Sequence, residues 1–215
     1  MAIKAVIFDL DGVIVTTDDC HYQGWQRMAD EEGIHFSREH NERLRGVSRM
    51  QSLEILLEQS PRAYSEEEKV ALASRKNAYY RELIEALTGE DLLPGAMALM
   101  EELRARGIKL AIASSSKNSP TILERVGLAD YFDACADGND IQHSKPDPEV
   151  FLLAAERLGI APEDCLFVED AEAGVEGGVA AGMKVLAVGS AAPSPLATWG
   201  AADLAAVTAE EIIEA

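Results

Sequence analysis

The stretch IKAVIFDLDGV, residues 3–13, decides the fold of this chain. Its first six residues form an apolar, β-rich run that is too short for a helix, and this run predicts a buried strand ending near Phe8. Two carboxylates, Asp9 and Asp11, follow at once. In open parallel sheets, ligands bind beyond the carboxyl ends of the strands. The stretch therefore predicts a sheet whose first strand delivers two aspartates to a ligand site.

A block of helices interrupts the predicted sheet directly after this strand. Residues 16–87 have a wholly helical pattern, with capping boxes at Ser48 and Ser65. Gly33 and Gly46 are placed where helices would end. The block therefore predicts a helical insertion after the first strand.

Strand and helix patterns alternate from residue 88 onward, which is typical of a parallel sheet with helices on both faces. Predicted strands cover residues 110–113, 132–136, 165–168 and 184–188, and predicted helices cover residues 119–127, 148–158 and 173–181. The predicted fold class is therefore α/β. It has a Rossmann-like parallel sheet core, residues 1–15 and 88–215, and a helical cap domain, residues 16–87, inserted after the first strand.

Composition and charge exclude several classes of function. The formal net charge of −19 disfavours nucleic acid as a partner, because a phosphate backbone needs a basic surface. No apolar run approaches the length that spans a membrane, and the first residues lack the features of a secretory signal. Cys20, Cys135 and Cys165 are odd in number and widely spaced, which is typical of reduced thiols. These features predict a cytoplasmic protein that binds neither nucleic acid nor membranes, and we expect a monomer.

Polar residues follow four of the predicted strands. They are Asp9 and Asp11, then Ser114-Ser115-Ser116-Lys117, then Ser144-Lys145-Pro146, and finally Glu169-Asp170. Clustered carboxylates on short loops suit Mg²⁺. One carboxylate can act as the nucleophile that forms an aspartyl phosphate, while a second transfers protons. Because a lysine and a hydroxyl can neutralise phosphoryl oxygens, the set predicts a magnesium-dependent phosphoryl-transfer site.

Each of these motifs can also be explained by a purely structural role. An Asp-x-Asp pair is more often a turn than a site, and a run of serines can simply be a loop. Glu169 and Asp170 can stabilise the N-terminus of the following helix, and Lys145-Pro146 can form a turn. Their joint placement at the ends of strands favours the functional explanation.

The four motifs resemble, in order, those of the haloacid dehalogenase superfamily. Phe8-Asp9-Leu10-Asp11-Gly12-Val13 is similar to the first motif, Ser114 in Ala113-Ser114-Ser115-Ser116 to the second, Lys145 in Ser144-Lys145-Pro146 to the third, and Glu169-Asp170 to the fourth. The position of the cap and several of its residues resemble the β-phosphoglucomutase family. This resemblance implies an enzyme that interconverts β-glucose 1-phosphate and glucose 6-phosphate through an aspartyl phosphate and β-glucose 1,6-bisphosphate. The implied partners are small sugar phosphates.

The same resemblance implies a role for each matching position. Asp9 would be the nucleophile and Asp11 the acid and base, while Ser114 and Lys145 would hold the transferring phosphate. Mg²⁺ would bind Asp9, Asp170 and the main-chain carbonyl of Asp11, with Glu169 close by. The implied substrate-binding residues are His21, Trp25, Arg45, Gly46, Val47, Ser48, Arg49, Ser52, Lys76, Ser115, Ser116, Lys117 and Asn118. Of these, Arg49 and residues 116–118 would hold the phosphate at the far end of the sugar. The resemblance also implies a cis Lys145-Pro146 peptide bond.

The cap residues have alternatives of their own. Lys76 falls on the apolar stripe of its helix, where a lysine is unexpected, but its ammonium group could reach water at the edge of the packing. His21 and Trp25, four residues apart, could merely pack the first cap helix. Two positions depart from the family pattern: Arg45 stands where lysine is usual, and Thr16 where aspartate is frequent. These departures concern the sugar preference and leave the core motifs untouched.

Other functions remain open at this point. A sugar-phosphate phosphatase would use the same aspartyl phosphate with water as acceptor, and it would need no second phosphate grip such as Arg49. A binding protein on an inactive scaffold is disfavoured because the four core motifs are intact. A phosphonatase would use Lys76 as a Schiff base and leave residues 116–118 unexplained. A dehalogenase lacks the second aspartate that Asp11 supplies.

Overall fold

The computed structural model describes residues 3–44 and 47–215. Its six strands are β1 Ala5–Phe8, β2 Lys109–Ala113, β3 Ala134–Ala136, β4 Cys165–Glu169, β5 Lys184–Val188 and β6 Trp199–Ala201. They form one sheet in the order β3-β2-β1-β4-β5-β6, and every pair is parallel. The predicted α/β class with a parallel sheet is confirmed. Because β1 is central, Phe8 pairs with Ile112 on one side and Val168 on the other, so Asp9 emerges between two neighbouring strand ends.

Helices cover both faces of the sheet, and a separate group lies between β1 and β2 in the sequence. The helices are α1 Asp18–Glu32, α2 Arg38–Glu42, α3 Arg49–Leu57, α4 Glu66–Ile84, α5 Ala96–Ala105, α6 Ser119–Arg125, α7 Glu149–Leu158, α8 Glu172–Ala180 and α9 Ala209–Glu214. Alternate residues of β1 belong to different hydrophobic clusters: Val6 and Phe8 pack with α5, whereas Ala5 and Ile7 pack with α7. Burial on both faces explains why the strand reads as a continuous apolar run.

The inserted helices α1 to α4 have a hydrophobic cluster of their own. Trp25, Met28 and Leu53 are among its buried members, and α1 packs along α4. The predicted capping boxes at Ser48 and Ser65 are both present and begin α3 and α4. Gly33 ends α1 with a φ of 67°, whereas the helix end expected at Gly46 lies outside the described residues. The domain boundaries at residues 15/16 and 87/88 stay a prediction.

The chain enters and leaves this insertion side by side. Val15 forms an antiparallel bridge with Leu92, and Leu93 N–H donates to the Ile14 carbonyl at 2.9 Å. Both connections therefore lie next to the loop that carries Asp11, at the carboxyl end of β1. A movement of the inserted helices relative to the sheet would bend the chain at this place.

Several elements differ from the sequence-based expectation. Strand β3 is shorter than predicted and begins at Ala134; the side chain of Asp133 before it accepts hydrogen bonds from the side chain of Lys109 and the backbone N–H of Leu110. The sequence patterns predict neither α5 nor the three-residue strand β6. No helix in residues 3–44 and 47–215 has the length and hydropathy needed to cross a membrane.

Candidate active site

The four motifs converge on one cavity of about 590 Å³ between the carboxyl edge of the sheet and the inserted helices. The predicted site residues that line it are Asp9, Asp11, His21, Trp25, Val47, Ser48, Arg49, Ser52, Lys76, Ser114, Ser115, Ser116, Lys117, Asn118, Lys145, Glu169 and Asp170. Every predicted site residue within the described ranges is in this set. Arg45 and Gly46, also predicted to face the substrate, lie outside the described residues.

Three carboxylates and one lysine form the floor of the cavity. Oxygen atoms of Asp9, Glu169 and Asp170 lie within 4.8 Å of one another, and all three residues are buried. The Nζ atom of Lys145 donates to Asp9 Oδ1 at 2.6 Å and to Glu169 Oε2 at 2.8 Å. The Lys145-Pro146 peptide bond is cis, which confirms the prediction. These residues meet in one buried cluster, which favours a functional role over isolated turns and caps.

Burial and neighbouring charges shift the pKa values of Asp9, Asp170 and Lys145. Burial raises the pKa of Asp9 to about 7, against the opposing effect of Lys145. Burial, reinforced by the charge of Glu169, raises the pKa of Asp170 to about 9. Burial also opposes the charge of Lys145, but Asp9 and Glu169 outweigh that effect and raise the pKa of the lysine above its usual value. Three buried carboxylates against one ammonium group leave an excess of negative charge, and such a set of oxygen donors fits a hard divalent cation.

Protein donors occupy both oxygens of the Glu169 carboxylate. Its Oε1 accepts from the backbone N–H groups of Asp170 and Ala171 at 2.9 and 3.0 Å, and its Oε2 accepts from Lys145. A Cβ atom at Gly174 would lie 1.7 Å from Glu169 Oε2, so the carboxylate fits only against a glycine. Glu169 therefore orients Lys145 and the start of the Asp170 loop.

Asp11 faces away from the other carboxylates, toward the inserted helices. Its Oδ1 accepts from the backbone N–H of Thr17 at 3.0 Å, and its Oδ2 accepts from the Thr17 hydroxyl at 2.5 Å. The Nε2 atom of His21 lies 3.3 Å from the same Oδ2. Burial works against ionisation of Asp11, but the hydrogen bonds and charge of His21 and Thr17 outweigh it and hold the pKa below its usual value. Asp11 is therefore an ionised carboxylate that Thr17 and His21 hold at the start of the inserted helices.

Lys76 and His21 form a buried pair on the cap side of the cavity. Lys76 is 2% exposed, and its Nζ atom lies 2.8 Å from His21 Nδ1. The ammonium group lies over the rings of Trp25 and Tyr80, 4.8 and 4.7 Å from their centroids. Burial, and then the charge of Arg49, lowers the pKa of Lys76 to about 7. The alternative that Lys76 reaches water at the edge of the packing is wrong. Trp25 both packs in the cap cluster and lines the cavity.

A second group of polar residues lines the same cavity, and it comes from α3, from α4 and from the loop after β2. The side chain of Asn118 donates to Asn77 Oδ1 on α4 at 3.0 Å, so core and cap meet here. Within the loop, the hydroxyl of Ser116 accepts from the backbone N–H of Asn118. Arg49 lies on the cap side, and burial lowers its pKa. Within residues 3–44 and 47–215 it makes no ion pair with a carboxylate, which leaves it able to bind an anion.

Sequence reasoning missed three residues that contact the predicted set. Thr17 precedes α1 as its N-cap residue, but its side chain makes no capping hydrogen bond and contacts Asp11 instead. Tyr80 follows Lys76 by one helical turn, a spacing typical of plain core packing. Asn77 contacts Asn118 from the other side of the cleft. Only the threonine next to an acidic motif gives any signal in the sequence, since the other two contacts link distant segments.

Removing divalent cations should make the stability of the protein fall as the pH rises. The pKa values of Asp9 and Asp170 lie above the value of about 4 for an unfolded chain, so the folded protein holds more protons than the unfolded one. The contribution of these two groups to the free energy of unfolding is then greatest below pH 4, and it is lost as the pH rises through about 7 and 9. We expect MgCl₂ to raise the Tm in EDTA-treated protein by a few degrees at about pH 9 and much less at about pH 5.

Thermal unfolding at several pH values, with EDTA or with excess MgCl₂, measures this difference. Asp170→Asn should lose most of the magnesium-dependent gain in Tm. A gain that is the same at every pH, or that persists in the Asp170→Asn protein, would contradict the assignment of the cation to this cluster.

Comparison with known proteins agrees with this geometry. The sequence model of the haloacid dehalogenase-like hydrolases matches residues 3–182. A β-phosphoglucomutase of Bacillus subtilis (strain 168) is 46% identical over 192 residues, 88% of this chain and 85% of that protein. A phosphorylated carbohydrates phosphatase of Thermotoga maritima is 33% identical, over 84% of this chain and 82% of that protein. The crystal structure of a β-phosphoglucomutase from Clostridium difficile superposes with a TM-score of 0.92 at 39% identity, and covers 99% of this chain and 96% of that one.

Proposed function

The chain belongs to the haloacid dehalogenase-like hydrolase family, and we propose that it interconverts β-glucose 1-phosphate and glucose 6-phosphate. The phosphoryl group would pass through an aspartyl phosphate at Asp9 and through β-glucose 1,6-bisphosphate. Relatives that carry the name β-phosphoglucomutase support the choice of substrate. The widely spaced cysteines support a cytoplasmic location, and we propose a monomer.

The observation that supports this proposal is that one cavity is lined by two groups of side chains that are suited to bind a phosphate. Lys145 contacts Asp9 on the floor, and Ser114 lines the same cavity. Arg49 and residues 116–118 supply a second group of donors from the cap and from the loop after β2. An enzyme that handles a sugar bisphosphate must hold both ends of it, whereas a phosphatase needs one phosphate site only.

Asp9 would perform the first step as the nucleophile. Its carboxylate oxygen forms the bond to phosphorus while the bond from phosphorus to the donor oxygen breaks, and Lys145 at 2.6 Å favours the ionised nucleophile. Ser114 and Lys145 would stabilise the charge that spreads over the phosphoryl oxygens. When bound, Mg²⁺ would be held by Asp9, Asp170 and the main-chain carbonyl of Asp11, beside Glu169, and would neutralise the same oxygens.

Asp11 would act as the acid and base of both transfers. It would give a proton to the leaving sugar oxygen and take one from the attacking sugar hydroxyl. Its contacts with Thr17 and His21 point it toward the cap, so closure of the cap over a sugar phosphate would release it toward Asp9. Such a gate would withhold the base from water until a sugar is bound, which is specificity through induced fit.

A sugar-phosphate phosphatase is the second candidate. The sequence similarity to the phosphorylated carbohydrates phosphatase of Thermotoga maritima supports it, and the same aspartyl phosphate would serve both reactions. The two candidates differ in the acceptor of the phosphoryl group, which is a sugar hydroxyl in one and water in the other.

An assay with β-glucose 1-phosphate, with and without the bisphosphate as activator, tests the proposed function. We expect glucose 6-phosphate as the product, at a rate that the bisphosphate increases, and little free phosphate. Arg49→Ala should reduce this turnover by roughly 10–100-fold, the effect of losing a charge-assisted contact to the remote phosphate. Hydrolysis of p-nitrophenyl phosphate, which has no second phosphate, should change by less than about twofold.

Arg43→Ala is the matched control, because Arg43 is a cap arginine that pairs with Glu58 on the surface and does not line the cavity. It should leave both activities unchanged. Release of free phosphate as the main product would favour the phosphatase. Equal loss of both activities in the Arg49→Ala enzyme would make Arg49 a structural residue.

A further inference from the structure

A buried tyrosine hydroxyl lies behind the contact that holds Asp11. Tyr80 on α4 is fully buried, and its hydroxyl donates to Thr17 Oγ1 at 3.1 Å. Thr17 is itself 1% exposed, and its Oγ1 donates in turn to Asp11 Oδ2 at 2.5 Å. Side chains from α4, from the N-cap of α1 and from the β1 loop therefore form one chain of hydrogen bonds that ends on the proposed acid and base.

The direction of this chain follows from counting protons. Asp11 accepts from the backbone N–H of Thr17 through Oδ1 and from the Thr17 hydroxyl through Oδ2, so the proton between Oδ2 and Thr17 belongs to the threonine hydroxyl. A hydroxyl has one proton, and Thr17 Oγ1 must therefore accept from Tyr80. Burial raises the pKa of Tyr80 well above its usual value, so this donor keeps its proton. The tyrosine thus fixes the Thr17 hydroxyl in the orientation in which it donates to Asp11.

We propose that Tyr80 is a positioning residue that strengthens the hold of Thr17 on Asp11, and thereby sets the preference for a sugar phosphate over water as phosphoryl acceptor. The proposal rests on the proposed function, because Asp11 must be the base whose release is controlled. Without the Tyr80 donor, the Thr17 hydroxyl can rotate, and its oxygen is left without a buried partner. Asp11 would then reach the phosphorylated Asp9 more often while the cavity holds only water.

The ring of Tyr80 also contacts the groups proposed to face the sugar. Its centroid lies 4.1 Å from that of the His21 ring, and the Lys76 ammonium group lies 4.7 Å from it. His21 in turn lies 3.3 Å from Asp11 Oδ2. A sugar that shifts His21 or Lys76 would therefore press on the same ring whose hydroxyl holds Thr17. This packing gives substrate binding a direct route to the release of Asp11.

The step at issue is the discharge of the aspartyl phosphate by water. The water oxygen forms a bond to phosphorus, the bond from phosphorus to the Asp9 oxygen breaks, and Asp11 takes the proton of the attacking water. Inorganic phosphate leaves and the Asp9 carboxylate is restored. The same step with a sugar hydroxyl gives the bisphosphate. The ratio of the rate of discharge by the sugar to the rate of discharge by water therefore measures how well Asp11 is kept away from Asp9 when no sugar is bound.

Tyr80→Phe tests the proposal because it removes the hydroxyl and keeps the ring. The enzyme is phosphorylated with acetyl phosphate and MgCl₂, and loss of the phosphoryl group is timed with and without glucose 6-phosphate. We expect discharge by water to be about fivefold faster than in the wild type, the effect of one ordinary hydrogen bond. Discharge by glucose 6-phosphate should change by less than about twofold, since Asp11 is already released in that state.

Tyr79→Phe is the matched control, since this neighbouring hydroxyl donates to Glu31 on the surface and should alter neither rate. Thr17→Val removes the same link from its other end and should speed discharge by water about tenfold or more. The double variant should match Thr17→Val alone, because the Tyr80 hydroxyl acts only through Thr17. If Tyr80→Phe proves unstable, Thr17→Val and the double variant still test whether this chain of hydrogen bonds controls the discharge by water.

An unchanged rate of discharge by water in Tyr80→Phe would overturn the proposal, as would effects of Tyr80→Phe and Thr17→Val that simply add. A tyrosine needed only for packing would lower the Tm and leave the ratio of the two rates alone. The proposed function fails on a different observation, namely a wild-type phosphoenzyme that glucose 6-phosphate does not discharge faster than water.

Discussion

Asp9→Asn is expected to abolish the phosphoenzyme and to lower turnover of β-glucose 1-phosphate by at least about 10⁴-fold, because an amide is not a nucleophile toward phosphorus. Asp9 emerges from the central strand β1 and is buried, with Lys145 Nζ at 2.6 Å from its Oδ1. The other carboxylates of the cluster cannot replace it easily, since Glu169 is held by Lys145 and two backbone N–H groups. Mass spectrometry after incubation with acetyl phosphate and MgCl₂ shows whether a phosphoryl group is attached.

The loss should not come from unfolding. Burial raises the pKa of Asp9, so ionisation costs the folded protein free energy, and a neutral amide of the same shape avoids that cost. The Tm of metal-free Asp9→Asn should therefore equal or exceed that of the wild type. Asp130→Asn, an exposed position remote from the cavity lining, is the matched control and should be phosphorylated normally. A phosphoenzyme that still forms in Asp9→Asn would move the nucleophile to another residue.

Much of the core could be predicted because its signals are local. The apolar run before Asp9 has the length of a buried strand, and parallel topology then places every strand end at one edge of the sheet. Ser48 and Ser65 begin helices through hydrogen bonds that reach only three residues along the chain. These features depend on neighbours in sequence, so a single chain reveals them. Strand β6 has only three residues with no apolar alternation, and no local pattern indicates it.

The parts of the site that escaped prediction depend on distant contacts. Tyr80 lies 63 residues from Thr17, and Asn77 lies 41 residues from Asn118. The spacing of Tyr80 from Leu72, Lys76 and Ile84 predicts a buried core residue, and Tyr80 is indeed buried. The orientation of Asp11 is decided by the Thr17 hydroxyl and backbone N–H, and the spacing of an Asp-x-Asp motif carries no information about it. Sequence patterns therefore indicate which residues belong to the site but not the contacts that orient Asp11.

Asp11→Ala should stop phosphoryl transfer to and from the sugar while leaving the first half of the chemistry intact. Acetate is a good leaving group and needs no proton, so acetyl phosphate should still phosphorylate Asp9 in this variant. A sugar hydroxyl must lose a proton to attack, and a sugar oxygen must gain one to leave. Turnover of β-glucose 1-phosphate should therefore fall by about 10²–10⁴-fold. The phosphoenzyme should accumulate, which distinguishes Asp11→Ala from Asp9→Asn in the same mass spectrum.

The decisive measurement is the lifetime of that phosphoenzyme with glucose 6-phosphate present. In the wild type the sugar phosphate should shorten the lifetime greatly relative to water alone, and in Asp11→Ala this difference should disappear. Asp11→Asn serves as a second variant, since its side-chain oxygen can still accept from Thr17 while it carries no proton for the sugar. Discharge by the sugar at the wild-type rate in both variants would take Asp11 out of the reaction. Should water instead discharge the wild-type phosphoenzyme as fast as the sugar does, the contact with Thr17 gates nothing, and the cavity belongs to a phosphatase.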